Sequence, residues 1–208
     1  MPARIPANRD RFQANPLITA AGADILATLT AISMSNPTLE QPLPDILEHG
    51  LRVVFCGINP GVDAAAAGHH FLGRGNRFWP VLHLAGFTPH QVAPADDASV
   101  LRYGLGLTGA VSRPTRSADE LRADEFADSA SALLRKLTLY QPRCIAFTGK
   151  AAYMGMTEKR RVDWGEQAER LGGVRVWILP NPSGLNRGFS KQQLVEAYSA
   201  LRRALDKA

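Results

Sequence analysis

Two asparagines in this chain sit in the same local pattern. Asn59 stands in Gly57-Ile58-Asn59-Pro60-Gly61, directly after the apolar run 53–56. Asn181 stands in Asn181-Pro182-Ser183-Gly184, directly after the apolar run 174–180. Runs of this kind, rich in β-formers and closed by Gly or Pro, read as strands buried on both faces of a parallel sheet. In open α/β sheets, ligands bind beyond the carboxyl ends of the strands, so both asparagines belong on one rim. A carboxamide there can hold a water or a polar ligand, but at neutral pH it is a poor general base. The chemistry it suits is positioning, with backbone dipoles of the glycine-flanked turns supplying the electrostatics. Asp63 adds a carboxylate to the first of the two loops.

Other reactive residue types point away from cofactors. His69-His70 has no acidic or thiol ligand at useful spacing beside it, so it reads as a solvated pair rather than a metal site. The only cysteines, Cys56 and Cys144, fall inside apolar runs and read as small buried hydrophobes. Two cysteines alone cannot hold a four-cysteine iron–sulfur cluster, and no local zinc spacing occurs. Gly73-Arg74-Gly75 does not directly follow a strand and lacks the third glycine of a dinucleotide fingerprint. Thr148-Gly149-Lys150 lacks the earlier glycine of a P-loop. No cofactor and no metal are expected.

The elements that position these residues alternate. A strand over 51–57 is followed by a long Gly- and Ala-rich loop, 58–75, of a length that marks functional segments. Asn76 can cap a helix through Trp79, Val81, Leu82 and Leu84, stopped by Gly86. A short helix near 98–103 precedes a glycine-rich strand over 104–111, which ends in Ser112-Arg113-Pro114-Thr115. Phe126, Ala130, Leu133, Leu137 and Tyr140 share one face of a helix over 124–140. A strand over 143–149, a helix from Lys150 to about Gly155 and a charged connection over 158–164 lead to the second Asn-Pro strand. Ser190-Lys191-Gln192-Gln193 is a capping box opening a last helix, with Leu194, Tyr198, Leu201 and Leu205 as its buried stripe. This order predicts a single α/β domain with a largely parallel central sheet flanked by helices.

Composition sets the outer bounds. The chain has 208 residues, 45% hydrophobic and 21% charged, with a net charge of +5. That is ordinary for a globular domain, and the excess of Lys and Arg permits a polyanionic partner. Residues 1–43 read as an N-terminal extension, either a loose helix or the product of a start placed ahead of Met34, with a proline-rich linker at 36–44. The domain proper is expected over 44–208, in a reducing, cytoplasmic setting.

The two Asn-Pro motifs together resemble those of the mismatch-specific uracil-DNA glycosylases and their relatives, the thymine-DNA glycosylases. The second motif continues as Leu185-Asn186-Arg187, and the resemblance extends to Asn76-Arg77-Phe78-Trp79, Ala85-Gly86-Phe87-Thr88, Arg113-Pro114-Thr115, Gly149-Lys150 and Trp164-Gly165. It spans roughly 51–205. It implies the uracil-DNA glycosylase fold and hydrolysis of the N-glycosidic bond of uracil in double-stranded DNA, above all opposite guanine, by a monomer associated with the nucleoid. By this resemblance Asn59 positions the attacking water, Phe71 stacks on the flipped base, and Ile58, Gly61 and Asn181 complete the base pocket. Ser183, Gly184, Leu185, Asn186, Arg187 and Lys191 form the expected DNA-binding set, with Leu185 as the wedge.

The chain departs from the family at two places. Val62-Asp63-Ala64 stands where small hydroxyl residues are common, and Gly109 stands where some relatives carry a lysine. Both change the charge around the pocket, and Asp63 becomes a candidate catalytic carboxylate. Two other readings compete: a nucleotide-binding α/β enzyme, which the missing phosphate fingerprints disfavour, and a non-catalytic DNA-binding module.

Overall fold

The computed structural model describes residues 42–207. The expected extension 1–43 therefore lies almost wholly outside the described residues. Apolar runs at Val53–Gly57 (β1) and Cys144–Thr148 (β3) form the centre of the sheet, and nearly every residue in them is buried. Leu105–Gly109 (β2) pairs parallel to β1 on one side, and β3 pairs parallel to it on the other. Arg175–Leu179 (β5) runs parallel to β3 and carries the antiparallel edge strand Gly165–Glu166 (β4). The order is β2-β1-β3-β5-β4. The expected α/β domain is thus observed, with one short antiparallel edge that a two-residue segment could not announce.

Alternation along the strands divides the core into two layers. Val53, Phe55, Leu105 and Leu107 face Phe78–Leu84 (α2) and Lys191–Asp206 (α5), while Cys56, Ile145, Phe147, Val176 and Ile178 face Ala123–Tyr140 (α3) and Lys150–Thr157 (α4). In the first layer Phe55 meets Phe78 and Phe87 edge-on at 5.5 and 5.3 Å, and Tyr198 lies parallel to it at 6.1 Å. The capping box of α5 forms as its sequence requires: Ser190 Oγ accepts from Gln193 N, and Gln193 Oε1 accepts from Ser190 N. Its expected stripe of Leu194, Tyr198, Leu201 and Leu205 is buried.

Two local expectations need correction. The loop 58–75 contains a helix, Val62–Ala67 (α1), ended by Gly68 at φ 72°. Its run of alanines favours helix by intrinsic propensity, but only Ala64 is buried, so no apolar stripe signals it. The His pair is only partly solvated, since His69 is half-buried and His70 fully so. His70 is buried; its Nε2 donates to Pro44 O at 2.8 Å and its backbone N–H to Asp97 Oδ2 at 2.7 Å. His69 Nδ1 lies 3.6 Å from Asp97 Oδ1.

The Pro44 bond belongs to a strap at the start of the described chain. Ile46 exchanges two backbone hydrogen bonds with Leu107, each 2.9 Å. Asp45 accepts from Thr108 Oγ1 at 2.6 Å and pairs with Lys136 of α3 at 2.7 Å. Pro44, the last residue of the expected linker, thus joins Asp45 and Ile46 in a wall at the carboxyl end of β2.

Candidate active site at the carboxyl rim

A cleft of about 850 Å³ opens beyond the carboxyl ends of β1 and β5. Ile58, Asn59, Gly61, Asp63, Phe71, Asn181, Ser183, Gly184 and Leu185 all line it, so both Asn-Pro turns reach one site. Asn186, Arg187 and Lys191 lie outside that lining. The strap closes one side through Pro44 and Asp45, together with Lys136.

The orientation of the Asn59 carboxamide is fixed by hydrogen-bond logic. Its Nδ2 donates to Arg113 O at 2.9 Å and to Thr115 Oγ1 at 2.7 Å. A carbonyl can only accept, and the Thr115 hydroxyl directs its own proton to Ser117 O at 2.8 Å, so both partners require the amide nitrogen. Among the described residues nothing donates to Asn59 Oδ1. That oxygen can accept from a water or ligand in the cleft. The support continues outward: Arg113 forks onto Glu125 at 2.7 and 3.0 Å. The Arg113 guanidinium, aided by the Arg122 backbone N–H, holds the Glu125 carboxyl down at about 2.

The turn itself is an extension of the sheet. Ala110 N–H and Val111 N–H donate to the carbonyls of Gly57 and Ile58, and Thr115 N–H donates to Pro60 O. Among the described residues no acceptor takes the N–H groups of Ile58 and Asn59, which leaves two adjacent donors at the end of β1.

Phe71 forms an aromatic wall. Its ring lies on Phe78 with centroids 3.7 Å apart and planes at 12°, and one edge covers Gly57. Its φ is 53°, a conformation that bulky side chains rarely adopt. Packing on Phe78 and the Trp79 Nε1 bond to the preceding carbonyl, His70 O, hold it there. Strain of this kind gathers at functional sites.

The second turn is braced from within and from outside. Asn181 Oδ1 accepts from Ser183 N at 2.9 Å, and Asn186 Nδ2 donates to Asn181 O at 2.8 Å. The Asn186 carboxamide is therefore engaged inside the loop. Arg77, at the head of α2, donates through its side chain to the carbonyls of Pro182, Ser183, Asn186 and Phe189. Leu185 rides on this clamped loop and is 73% exposed, the most of any large apolar side chain among the described residues. Gly184 is needed for a close approach within the protein rather than outside it: a Cβ there would stand 2.9 Å from Gly75 O.

Sequence reasoning gave no role to Arg77, Thr115 or Lys136. Arg77 and Thr115 lie inside quoted motifs, but their partners are remote carbonyls and an amide that no spacing rule reveals. The two thiols are closed to chemistry, since burial pushes Cys56 and Cys144 up to about 12. No cluster of potential metal ligands occurs among the described residues.

An open-sheet α/β enzyme with a ligand cleft at its carboxyl rim is the class that fold and site define. The chain belongs to the uracil DNA glycosylase superfamily, whose family model matches residues 44–202. Membership implies a DNA glycosylase, a hydrolase, and is consistent with DNA as its substrate. The fold is similar to the solution NMR structure of a "putative Uracil DNA glycosylase" from Methanosarcina acetivorans. That similarity has a TM-score of 0.56 at 22% identity, over 80% of this chain and 98% of the other.

Proposed function

We propose that the protein hydrolyses the N-glycosidic bond of uracil in double-stranded DNA, preferring uracil opposite guanine, and leaves an abasic site. The observation that carries this reading is one cleft holding both an oriented Asn59, with Oδ1 unpartnered, and an exposed Leu185 on a braced loop. A base inside a duplex is out of reach, so it must be turned out into the cleft. Phe71, already supported from behind by Phe78, offers its other face to the base. Asn59 Oδ1 accepts a hydrogen bond from the water and aims its oxygen at C1′. The C1′–N1 bond breaks, its electron pair leaves on uracil N1, and the water oxygen bonds to C1′ while its proton passes to solvent.

With no strong base beside the water, stabilising the departing uracil anion carries most of the barrier. The unpaired N–H groups of Ile58 and Asn59 are suited to its carbonyl oxygens. Leu185 fills the hole left in the stack, and backbone groups of the 183–187 loop meet the unpaired guanine. Asp63, exposed on the same cleft, is proposed to favour the positive charge that develops on the sugar.

The test is incubation with a duplex holding one guanine–uracil mismatch, with abasic sites as the readout. Matched adenine–uracil duplexes and free mononucleotides serve as comparisons. Salt-dependent binding without base release would mark a DNA-binding module instead. Tight mononucleotide binding without release would mark a nucleotide-binding enzyme. Equal rates opposite guanine and adenine would remove the mismatch preference.

A further inference from the structure

Five arginines stand on the loops around the cleft; Arg187 lies outside its lining, and the structure separates the other four into two kinds. Arg77 is occupied by carbonyls of the second Asn-Pro loop. Arg113 is occupied by Glu125 and by Glu120 O. Arg74 and Arg116 are exposed, line the cleft, and make no ion pair or side-chain hydrogen bond among the described residues.

Their placement is complementary. Arg116 directly follows Thr115, whose hydroxyl holds Asn59. Arg74 lies between Gly73 at φ 152° and Gly75 at φ 77°, values that residues other than glycine rarely adopt. Its carbonyl is 3.1 Å from the place a Cβ on Gly184 would occupy, so it packs against the Leu185 loop. One unpaired guanidinium therefore stands on the Asn59 side of the mouth and the other on the Leu185 side. Asp63, also exposed on this cleft, repels phosphate and confines the DNA backbone to the arginine sides.

A nucleotide whose base enters the cleft leaves its sugar at the mouth, with one phosphodiester on each side. Guanidinium groups match phosphate by paired N–H donors. We propose that Arg74 and Arg116 bind the two phosphodiesters flanking the extruded nucleotide, Arg74 beside Leu185 and Arg116 beside Asn59. The assignment rests on the glycosylase reading and extends it to recognition of the lesion strand.

The experiment uses the full chain and a duplex with a tetrahydrofuran abasic analogue opposite guanine, which cannot turn over. Arg74→Ala and Arg116→Ala should each weaken binding roughly tenfold, the scale of a charge-assisted hydrogen bond. Each should also lower the slope of log affinity against log salt by about 0.9. Arg→Lys variants should keep the slope and lose part of the affinity; they also serve if an alanine variant fails to fold. Arg203→Ala, far from the rim, controls for loss of charge alone.

Single neutral methylphosphonate linkages are then placed on either side of the analogue. One position should erase the difference between wild type and Arg74→Ala, and the other the difference for Arg116→Ala. Alanine variants that bind as tightly as wild type, or losses that persist on both neutral substrates, would overturn the clamp, as would a wild type that does not bind the duplex. Uracil release by wild type is measured on the same duplex frame. Release without this coupling sinks the clamp alone; coupling without release sinks the glycosylase reading alone.

Discussion

Arg77 fixes the place of Leu185. One guanidinium nitrogen of Arg77 holds the carbonyls of Ser183 and Asn186, at 3.0 and 2.7 Å, and these residues bracket the Gly184-Leu185 tip. A second nitrogen holds Phe189 O at 2.7 Å. An exposed leucine would otherwise have no reason to stay extended into water, because nothing among the described residues covers it.

Arg77→Met should therefore cost stability and function together. Leaving carbonyls without a partner costs about 1–3 kcal/mol, read as a lower thermal midpoint. Uracil release from duplexes should fall more than release from single strands, where no hole has to be filled. Leu185→Ala should show the same duplex-selective loss without the loss of stability. Arg77→Lys should not rescue, since an ammonium cannot reproduce the fork. Equal losses on duplex and single strand for Leu185→Ala would rule out the wedge.

Asn59 and Thr115 form a second testable pair. Asn59→Ala removes the water-positioning oxygen and should slow base release by about 10²–10⁴-fold, the range for a positioned catalytic group, while duplex binding changes little. Thr115→Val keeps the shape but removes one of the two acceptors that select the amide nitrogen, leaving Arg113 O alone to hold the carboxamide. Its single-turnover rate should drop while Thr115→Ser stays near wild type. A valine variant as fast as the serine variant would show that Thr115 does not orient Asn59.

Legibility in the sequence followed the range of the interaction. β1 and β3 were readable because strands buried on both faces are unbroken apolar runs. The start of α5 was readable because Ser190 and Gln193 satisfy each other within one turn. Both Asn-Pro turns were readable because proline and glycine punctuate the chain locally. α1 was hidden because its alanines bury almost nothing, and β4 because Gly165-Glu166 is too short to show a period. His70 was misjudged because its partners, Pro44 and Asp97, lie on other elements. Arg77 had no legible role because every carbonyl it binds comes from the far end of the chain.

The strap divides the N-terminal region into parts with different consequences. No motif residue precedes Leu51, so a chain starting at Met34 should keep wild-type melting and base release. A chain starting at Glu48 lacks Pro44, Asp45 and Ile46, and with them the paired bonds to Leu107 and the partners of His70, Thr108 and Lys136. It should melt lower and lose activity through the opened cleft wall. Identical melting of the two truncations would show that the strap contributes nothing.

His70 gives the strap a pH dependence whose sign can be worked out. Burial pushes its pKa below the usual 6.5, against weaker upward pulls from the Pro44 carbonyl, Asp97 and Asp45, with Lys136 adding to the lowering. The folded protein therefore keeps the ring neutral, with Nε2 donating to Pro44 O. Above pH 6.5 neither state binds the proton and this group adds no slope. Below 6.5 the unfolded chain takes up a proton that the folded chain refuses, so stability falls as pH drops toward the lowered folded value. One such group contributes at most about 1.4 kcal/mol per pH unit. His70→Gln retains a donor for Pro44 O and does not titrate. Urea melts from pH 8 to pH 5 should then show a flatter acid limb for the variant, with little difference between the two proteins at pH 8. An unchanged acid limb would place the proton uptake elsewhere.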